Sequence, residues 1–319
     1  MEEKKTIKKQ VNRISLGLFI YNIILYLVVI IDLIIKCIQV VMKYQTESVQ
    51  DQKLEQLTDS LASSGSSSIV GVLAGLLFLL LFFRNNKQCR QVFQFNKKLA
   101  FTDFWPILLV FLSSQFVFVL FSSGVEYVLN LLGYSLMGEI ETATSQSTTI
   151  SMFLYASFIG PIAEELTYRG FVLRGLERYG KMFSIVVSSL LFGAMHANFL
   201  QGIFAFFVGL VLAYVALEYS IYWSIFLHIL NNCILNDLWS YAISGFSDTV
   251  QMLLQWGLLS VFFVGGCLVL WKKRQFIHKY LQDNRVGNKY YIYAFTSVWM
   301  IIFLIMCFLI GFSGIEKIG

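Results

Sequence analysis

The sequence predicts an all-α fold, a polytopic transmembrane bundle of about nine helices with its N-terminus inside. Three observations carry this. The 319 residues are 57% hydrophobic and only 13% charged, with mean hydropathy +0.69, a composition foreign to soluble domains. Apolar runs of roughly 20 residues, enough to cross about 30 Å of hydrocarbon, recur along the chain. The basic residues gather in alternate connecting segments, the asymmetry that orients membrane helices.

The predicted spans are 15–42, 69–83, 104–123, 148–168, 182–197, 199–218, 221–243, 251–271 and 291–312. The first is longer than the apolar core of a signal peptide and lacks a small-x-small cleavage site, so it reads as a signal anchor. Within it Asp32 and Lys36, four apart, pair along one helix face while Lys36 reaches outward. Residues 44–68, with Ser63, Ser64, Gly65, Ser66, Ser67 and Ser68, read as a flexible polar loop. Tyr179-Gly180-Lys181 reads as the turn of a helical hairpin, its wet end marked by Arg174, Glu177 and Arg178. The chain thus divides into a two-span region (1–103, with the outer Ser-rich loop), a core (104–243) and a C-terminal two-span region (244–319). No internal repeat and no soluble domain is evident.

Charge sets the orientation. Lys4, Lys5, Lys8, Lys9 and Arg13 form one basic group, and Arg84, Lys87, Arg90, Lys97 and Lys98 a second. Arg169, Arg174, Arg178 and Lys181 form the third; Lys272, Lys273, Arg274, Lys279, Arg285 and Lys289 form the fourth. Placing these inside gives N-in and C-out, with Lys43, Lys53 and Lys317 outside. A net charge of +5, scattered in this way, leaves no footprint for nucleic acid. The 16% aromatic content suits lipid-facing and interfacial positions, so lipid is the expected surroundings. Cys37, Cys89, Cys233, Cys267 and Cys307 form no C-x-x-C and read as small apolar fillers. His278 lies in a basic segment and reads as solvated.

Against this apolar background a few polar residues stand out. An ionised residue at the bilayer centre costs about 2.5–3.5 kcal/mol on the insertion scale, so such residues usually serve a purpose. Glu164 precedes Gly180 by sixteen residues and His196 follows it by sixteen, which puts carboxylate and imidazole at one height, roughly 24 Å from the turn. Ser224, His228, Asn232 and Asn236 recur every four residues and share a helix face. Such a stripe serves either a cavity or interhelical hydrogen bonds. Glu165 and Arg169 pair at i,i+4, leaving Glu164 without a partner and suited to general-base work in a poorly hydrated cavity. Gly160-Pro161 is expected to interrupt the helix and open room for water. Glu164 with His196 would then activate a water, and His228 with the Asn232 amide would stabilise an oxyanion. Phe192, one turn before His196, is expected to pack on that imidazole.

Glu164-Glu165-x-x-x-Arg169, Phe192-x-x-x-His196 and His228-x-x-x-Asn232, in this order on successive apolar segments, resemble the CPBP (Abi) family of intramembrane proteases. That family includes the CAAX prenyl endopeptidases of Rce1 type. The resemblance covers residues 104–243 and departs from the family pattern in none of the three blocks. It implies a helical bundle whose cavity admits a peptide or lipidated tail, with Glu164, His196, His228 and Asn232 catalytic and Glu165 and Arg169 in support. The family is commonly labelled as metalloproteases, and Glu164, His196 and His228 would be the zinc ligands. A metal-free route is preferred, because no H-E-x-x-H pair is present and Asn232 beside His228 suits an oxyanion site.

Two other functional classes compete with a membrane endopeptidase. Bacterial family members are associated with self-immunity to bacteriocins, which needs only binding of a peptide or receptor without cleavage. Intramembrane acids and histidines also mark ion and proton pathways, although no inverted repeat or paired broken helix supports a transporter. Richness in Phe, Ile, Lys and Asn points to an AT-rich bacterium and hence to a bacterial plasma membrane.

Overall fold

The computed structural model describes residues 2–44, 47–85, 92–144 and 147–318; Lys87 and Arg90 of the second basic group, and Cys89, lie outside them. It is helical almost throughout. The chain opens with α1 (Glu2–Lys43), α2 (Glu47–Ala62), α3 (Ser66–Phe83) and α4 (Phe101–Leu131), then β1 (Tyr134–Ser135) and α5 (Met137–Thr144). A long arm follows without a break. It comprises α6 (Ile150–Leu154), a π-helical stretch π1 (Tyr155–Ile159), α7 (Gly160–Glu165), π2 (Leu166–Leu173) and α8 (Arg174–Leu176), and tightens at Glu177–Tyr179. Beyond the Gly180 turn come α9 (Lys181–Met195), α10 (Phe199–Glu218) and α11 (Ile221–Ile229), which continues as π3 (Leu230–Leu238) and α12 (Trp239–Ile243). The chain ends with α13 (Asp248–Asp283), α14 (Asn288–Phe295), α15 (Val298–Phe312) and β2 (Glu316–Lys317), which pairs antiparallel with β1.

Each stretch predicted as a span is mainly helical, although 148–168 and 182–197 include non-helical residues at one end and 291–312 is broken at residues 296–297. Among the described residues five helices, α1, α3, α4, α10 and α13, are each long and apolar enough to cross a membrane, and α14 with α15, bent by 69°, would make a sixth if the pair forms one span. The arm, α9 and the α11–π3–α12 run fall short because π turns interrupt them or because α9 has only 15 residues. These are the segments that carry the polar residues. The Ser-rich loop expected at 44–68 is corrected: α2 fills Glu47–Ala62, and Ser66–Ser68 form the first turn of α3. Ser67 donates to Asp32 (2.5 Å), which also holds Lys36 (2.7 Å), so the α1 ion pair fixes α3 as well.

Packing follows from spacing and from small residues. Ile7, Val11, Ile14, Leu18 and Tyr21 alternate by four and three along α1, so they form one stripe, fully buried against Tyr168, Phe171, Val172 and Leu176 of the arm. The opposite face, including Ile30, Ile31, Ile34 and Ile35, is about half exposed and faces outward. In hydrocarbon no hydrophobic force drives helices together, so close van der Waals approach must hold them. Glycines permit it: a Cβ on Gly75 would lie 2.6 Å from the Tyr21 ring, and one on Gly193 would lie 2.5 Å from the Gly202 carbonyl. Gly180, at φ 130°, makes the hairpin turn that any side chain would strain.

The fold sorts its connections into two ends. At one end the N-terminus meets the hairpin tip and the α13–α15 connection: Glu3 pairs with Lys289 (3.0 Å), Lys8 donates to Thr296 O (2.9 Å) and Tyr179 Oη to Thr6 O (3.3 Å). Lys181 and Glu218 (2.6 Å) add the α10–α11 corner. At the other end Thr149 bonds Ser63, β1 pairs with β2, and Glu139 receives Phe199 N–H. His278 is exposed, as expected. Among the described residues Cys37, Cys233, Cys267 and Cys307 are free thiols.

Candidate active site

The hairpin and α11 bring six of the seven singled-out residues into one cluster. Glu165, wholly buried, is its anchor. Its carboxylate faces Arg169 (3.1 Å) as an ion pair along the arm and accepts from His228 Nδ1 (2.9 Å) and from the Ser224 hydroxyl on α11. Ser224 and His228 are four apart on α11, so both point at the same carboxylate. Arg169 donates from Nη2 to Gly209 O (3.3 Å) on α10, while its Nε and Nη1 lack aligned acceptors. The guanidinium lies instead 4.2 Å over the Phe192 ring, a cation–π contact for a charge that is fully buried.

Phe192 is more central than its sequence position implied. Its ring meets His196 edge-on at 5.0 Å, as expected, and also His228 at 5.8 Å and Tyr168 at 5.4 Å. One aromatic ring thus separates the arginine from both imidazoles and fixes all three.

Proton positions follow from the hydrogen bonds. His196 Nδ1 contacts Phe192 O (2.9 Å); a carbonyl only accepts, so Nδ1 carries the proton and Nε2 presents a lone pair. A carboxylate likewise only accepts, so His228 Nδ1 donates to Glu165 and its Nε2 faces outward. That Nε2 lies 3.6 Å from Glu164 Oε2. Glu164 therefore has a partner, contrary to the sequence expectation, though at a distance longer than a good hydrogen bond. Its side chain is 21% exposed, against none for Glu165. One carboxylate is walled in to hold the site; the other opens into it.

The expected interruption at Gly160-Pro161 is also corrected. Pro161 cannot donate to the carbonyl one turn back, yet the chain stays helical, because π1 widens the preceding turns and α7 starts with the proline in its first turn. π2 follows at once, so α7 with its two glutamates is flanked by widened turns. Such turns free backbone carbonyls. Asn232 uses one, donating to Ala156 O (3.0 Å) on π1, and accepts from Asn231 (3.0 Å), which accepts from Gln115 (2.5 Å) on α4. Asn232 is thereby tied to the arm.

Sequence reasoning missed Asp237. It is buried on π3, accepts from Ser157 (2.6 Å) on π1 and from the Ser147 hydroxyl (3.2 Å) and N–H (3.0 Å), and so clamps two widened segments together. An acid inside the apolar 221–243 stretch was the available signal.

His196 closes α9, and Asn198 caps α10 by accepting from Gln201 N–H (2.8 Å) while Glu139 holds Asn198 and Phe199. The imidazole therefore lies towards the end of the bundle opposite the hairpin tip. A zinc site would need three donors converging on one point. The Nε2 atoms of both imidazoles are the right kind of donor, but among the described residues no three His, Cys, Asp or Glu side chains are arranged to hold a metal ion.

Comparison with known proteins follows the same residues. Residues 146–234 match the Rce1-like family model, described as type II CAAX prenyl endopeptidase Rce1-like. The match spans all three motif blocks, so it bears out the resemblance and supports a membrane-embedded peptidase. No curated protein and no solved structure matches the chain.

Proposed function

We propose, with the Rce1-like match over residues 146–234 as premise, that the protein is an intramembrane endopeptidase. It would hydrolyse a peptide bond in a small membrane-associated or lipidated substrate, in a bacterial plasma membrane. The observation that carries this reading is the division of labour between adjacent glutamates: Glu165 is locked to Arg169, His228 and Ser224, while Glu164 is partly open and faces His228 Nε2.

A water between Glu164 and the Nε2 lone pair of His196 loses its proton to Glu164 as its oxygen attacks the substrate carbonyl carbon. The negative charge that forms on the carbonyl oxygen is met by a hydrogen bond donated from His228. The second amide hydrogen of Asn232, the one not engaged by Ala156, adds a donor once substrate seats. Glu164 then passes the proton to the departing amine, which breaks the peptide bond. Each oxyanion donor is worth roughly 10²–10³ in rate. No step passes through a metal.

The test is the peptidome of cells making the wild type or Glu164→Ala at equal level. A peptide that changes length between the two strains names activity and substrate together. If an immunity phenotype survives intact in Glu164→Ala, the protein acts by binding and the peptidase reading falls. Turnover abolished by a strong chelator and restored by stoichiometric zinc would overturn the metal-free route.

A further inference from the structure

Away from the catalytic cluster, the end of the bundle that holds the N-terminus carries a half-open cleft of about 460 Å³ between α1 and the hairpin tip. That volume falls within the roughly 300–1,000 Å³ typical of small-ligand sites. Its walls are Lys5, Lys9 and Arg13 from α1 and Arg178 from the tip, with Glu2 the single acid. Lys5, Lys9 and Arg13 are spaced by four, so their charges line one helix face, and Arg178 meets them from the other side. All four are exposed, and among the described residues none forms an ion pair, whereas neighbouring Glu3 and Glu177 are taken by Lys289 and Arg174. Four cations thus face one carboxylate across a cleft that the rest of the surface leaves uncompensated.

The walls are held in place. Gln10 donates to Gly175 O (3.2 Å) and Tyr179 Oη to Thr6 O (3.3 Å), which pin α1 against the tip. Arg178 stacks on the Tyr179 ring at 4.7 Å, and Arg13 lies against Phe82 and Phe83 at 5.6 Å each. Cleft position also matters. After Arg13, α1 carries no charge until Asp32, so the cleft occupies the last charged turns before a run of bilayer length. A bilayer spanned by that run would put its phosphates at the level of the cleft.

We infer that this cleft binds the phosphate headgroup of an anionic phospholipid, with its acyl chains running along the apolar continuation of α1. Phosphate offers several acceptor oxygens to guanidinium and ammonium donors from two elements at once. Because α1 also packs on the arm that bears Glu164 and Glu165, the lipid would brace the hairpin from its tip. Binding does not depend on peptidase activity, so it stands or falls separately.

The experiment uses the full chain in neutral detergent, with native mass spectrometry and thermal unfolding as readouts. Phosphatidylglycerol, phosphatidylcholine and inorganic phosphate are titrated in turn. Phosphatidylglycerol is expected to bind at least tenfold more tightly than phosphatidylcholine and to raise the unfolding midpoint, with inorganic phosphate competing only weakly. Each cation removed should weaken binding about fivefold, so Lys9→Gln with Arg178→Gln together should cost about 25-fold. Arg178→Lys, which keeps the charge, should retain most of it. In the wild type alone, binding should fall steeply between 50 and 500 mM salt, a check that needs no variant. Equal binding of the two lipids, an unaffected double variant or salt-independent binding would each overturn the proposal. Inorganic phosphate binding as tightly as phosphatidylglycerol would overturn the lipid assignment in favour of a free-anion site.

Discussion

At the scale of single residues, two glutamates adjacent in sequence have opposite fates because a helix turns about 100° per residue. Glu165 faces inward, where Arg169, His228 and Ser224 surround it; Glu164 points to the open side. Their substitution should therefore separate stability from chemistry. Glu165→Gln leaves the buried guanidinium of Arg169 without its counter-charge, a change that typically costs about 3–5 kcal/mol. Glu164→Gln removes a partly exposed carboxylate and should unfold within a few degrees of the wild type, yet lose hydrolysis by at least ~10²-fold. Thermal unfolding in detergent beside cleavage of a fluorogenic peptide measures both. Similar unfolding midpoints for the two variants would show that Glu165 is not the anchor described above. Phe192 offers a second check. Replacing it with alanine deletes the ring that contacts Arg169, His196 and His228 together, and loss of a buried aromatic costs about 3–5 kcal/mol. Phe192→Tyr keeps the ring but adds a hydroxyl, so activity should track packing space at the ring edge rather than aromaticity.

At the scale of elements, the site depends on how closely α9 and α10 approach. Gly193 and Gly202 face each other so tightly that an added Cβ would collide with backbone. Gly193→Ala should push the helices apart at a cost of about 1–3 kcal/mol, the usual range for overpacking. It should also displace His196, three residues on, so activity should drop further than stability alone accounts for. Gly257→Ala on α13, where nothing lies within 4 Å of the added methyl, serves as the control and should be neutral or slightly stabilising. Equal behaviour of the two variants would sink the close-approach argument. This is also the scale at which sequence reading succeeded and failed. The hairpin was legible because Gly180 sits midway between Glu164 and His196, and helical rise then fixes their heights. The Glu165–Arg169 pair was legible because i,i+4 neighbours meet on a helix surface, and it forms here although Arg169 lies on π2. π1, π2 and π3 were not legible, since a widened turn leaves no periodic mark in sequence and depends on tertiary contacts such as Asp237 with Ser157. The hydrogen bond that ties Asn232 to Ala156 O on π1 was likewise not legible. α2 was missed for a different reason: its serine-flanked polar sequence resembles a linker, and polar helices lack the apolar stripe that announces most helices.

At the scale of the whole molecule, the two-ended arrangement of connections gives a test of topology independent of chemistry. The N-terminal turn, the hairpin tip and the 284–297 connection are held together by direct contacts, so positions 5, 178 and 285 must share one side of any membrane. Positions 53, 149 and 316 belong with the opposite end, as the Ser63–Thr149 bond and the β1–β2 pair require for the last two. α1 spans both: its 42 residues reach about 63 Å, twice the hydrocarbon thickness, so its ends cannot share a side unless it lies flat. Single cysteines at these six positions, in a background with the five native cysteines replaced, can be probed in intact cells with a membrane-impermeant maleimide. Charge placement predicts labelling at 53, 149 and 316 and protection at 5, 178 and 285 until the cells are opened. The inverse pattern would keep the fold and reverse the N-in orientation. A mixed pattern within either set would break the two-ended bundle itself. It would also undo the placement of His196 near the end opposite the hairpin tip, because that rests on the same contacts of Glu139 with Asn198 and Phe199.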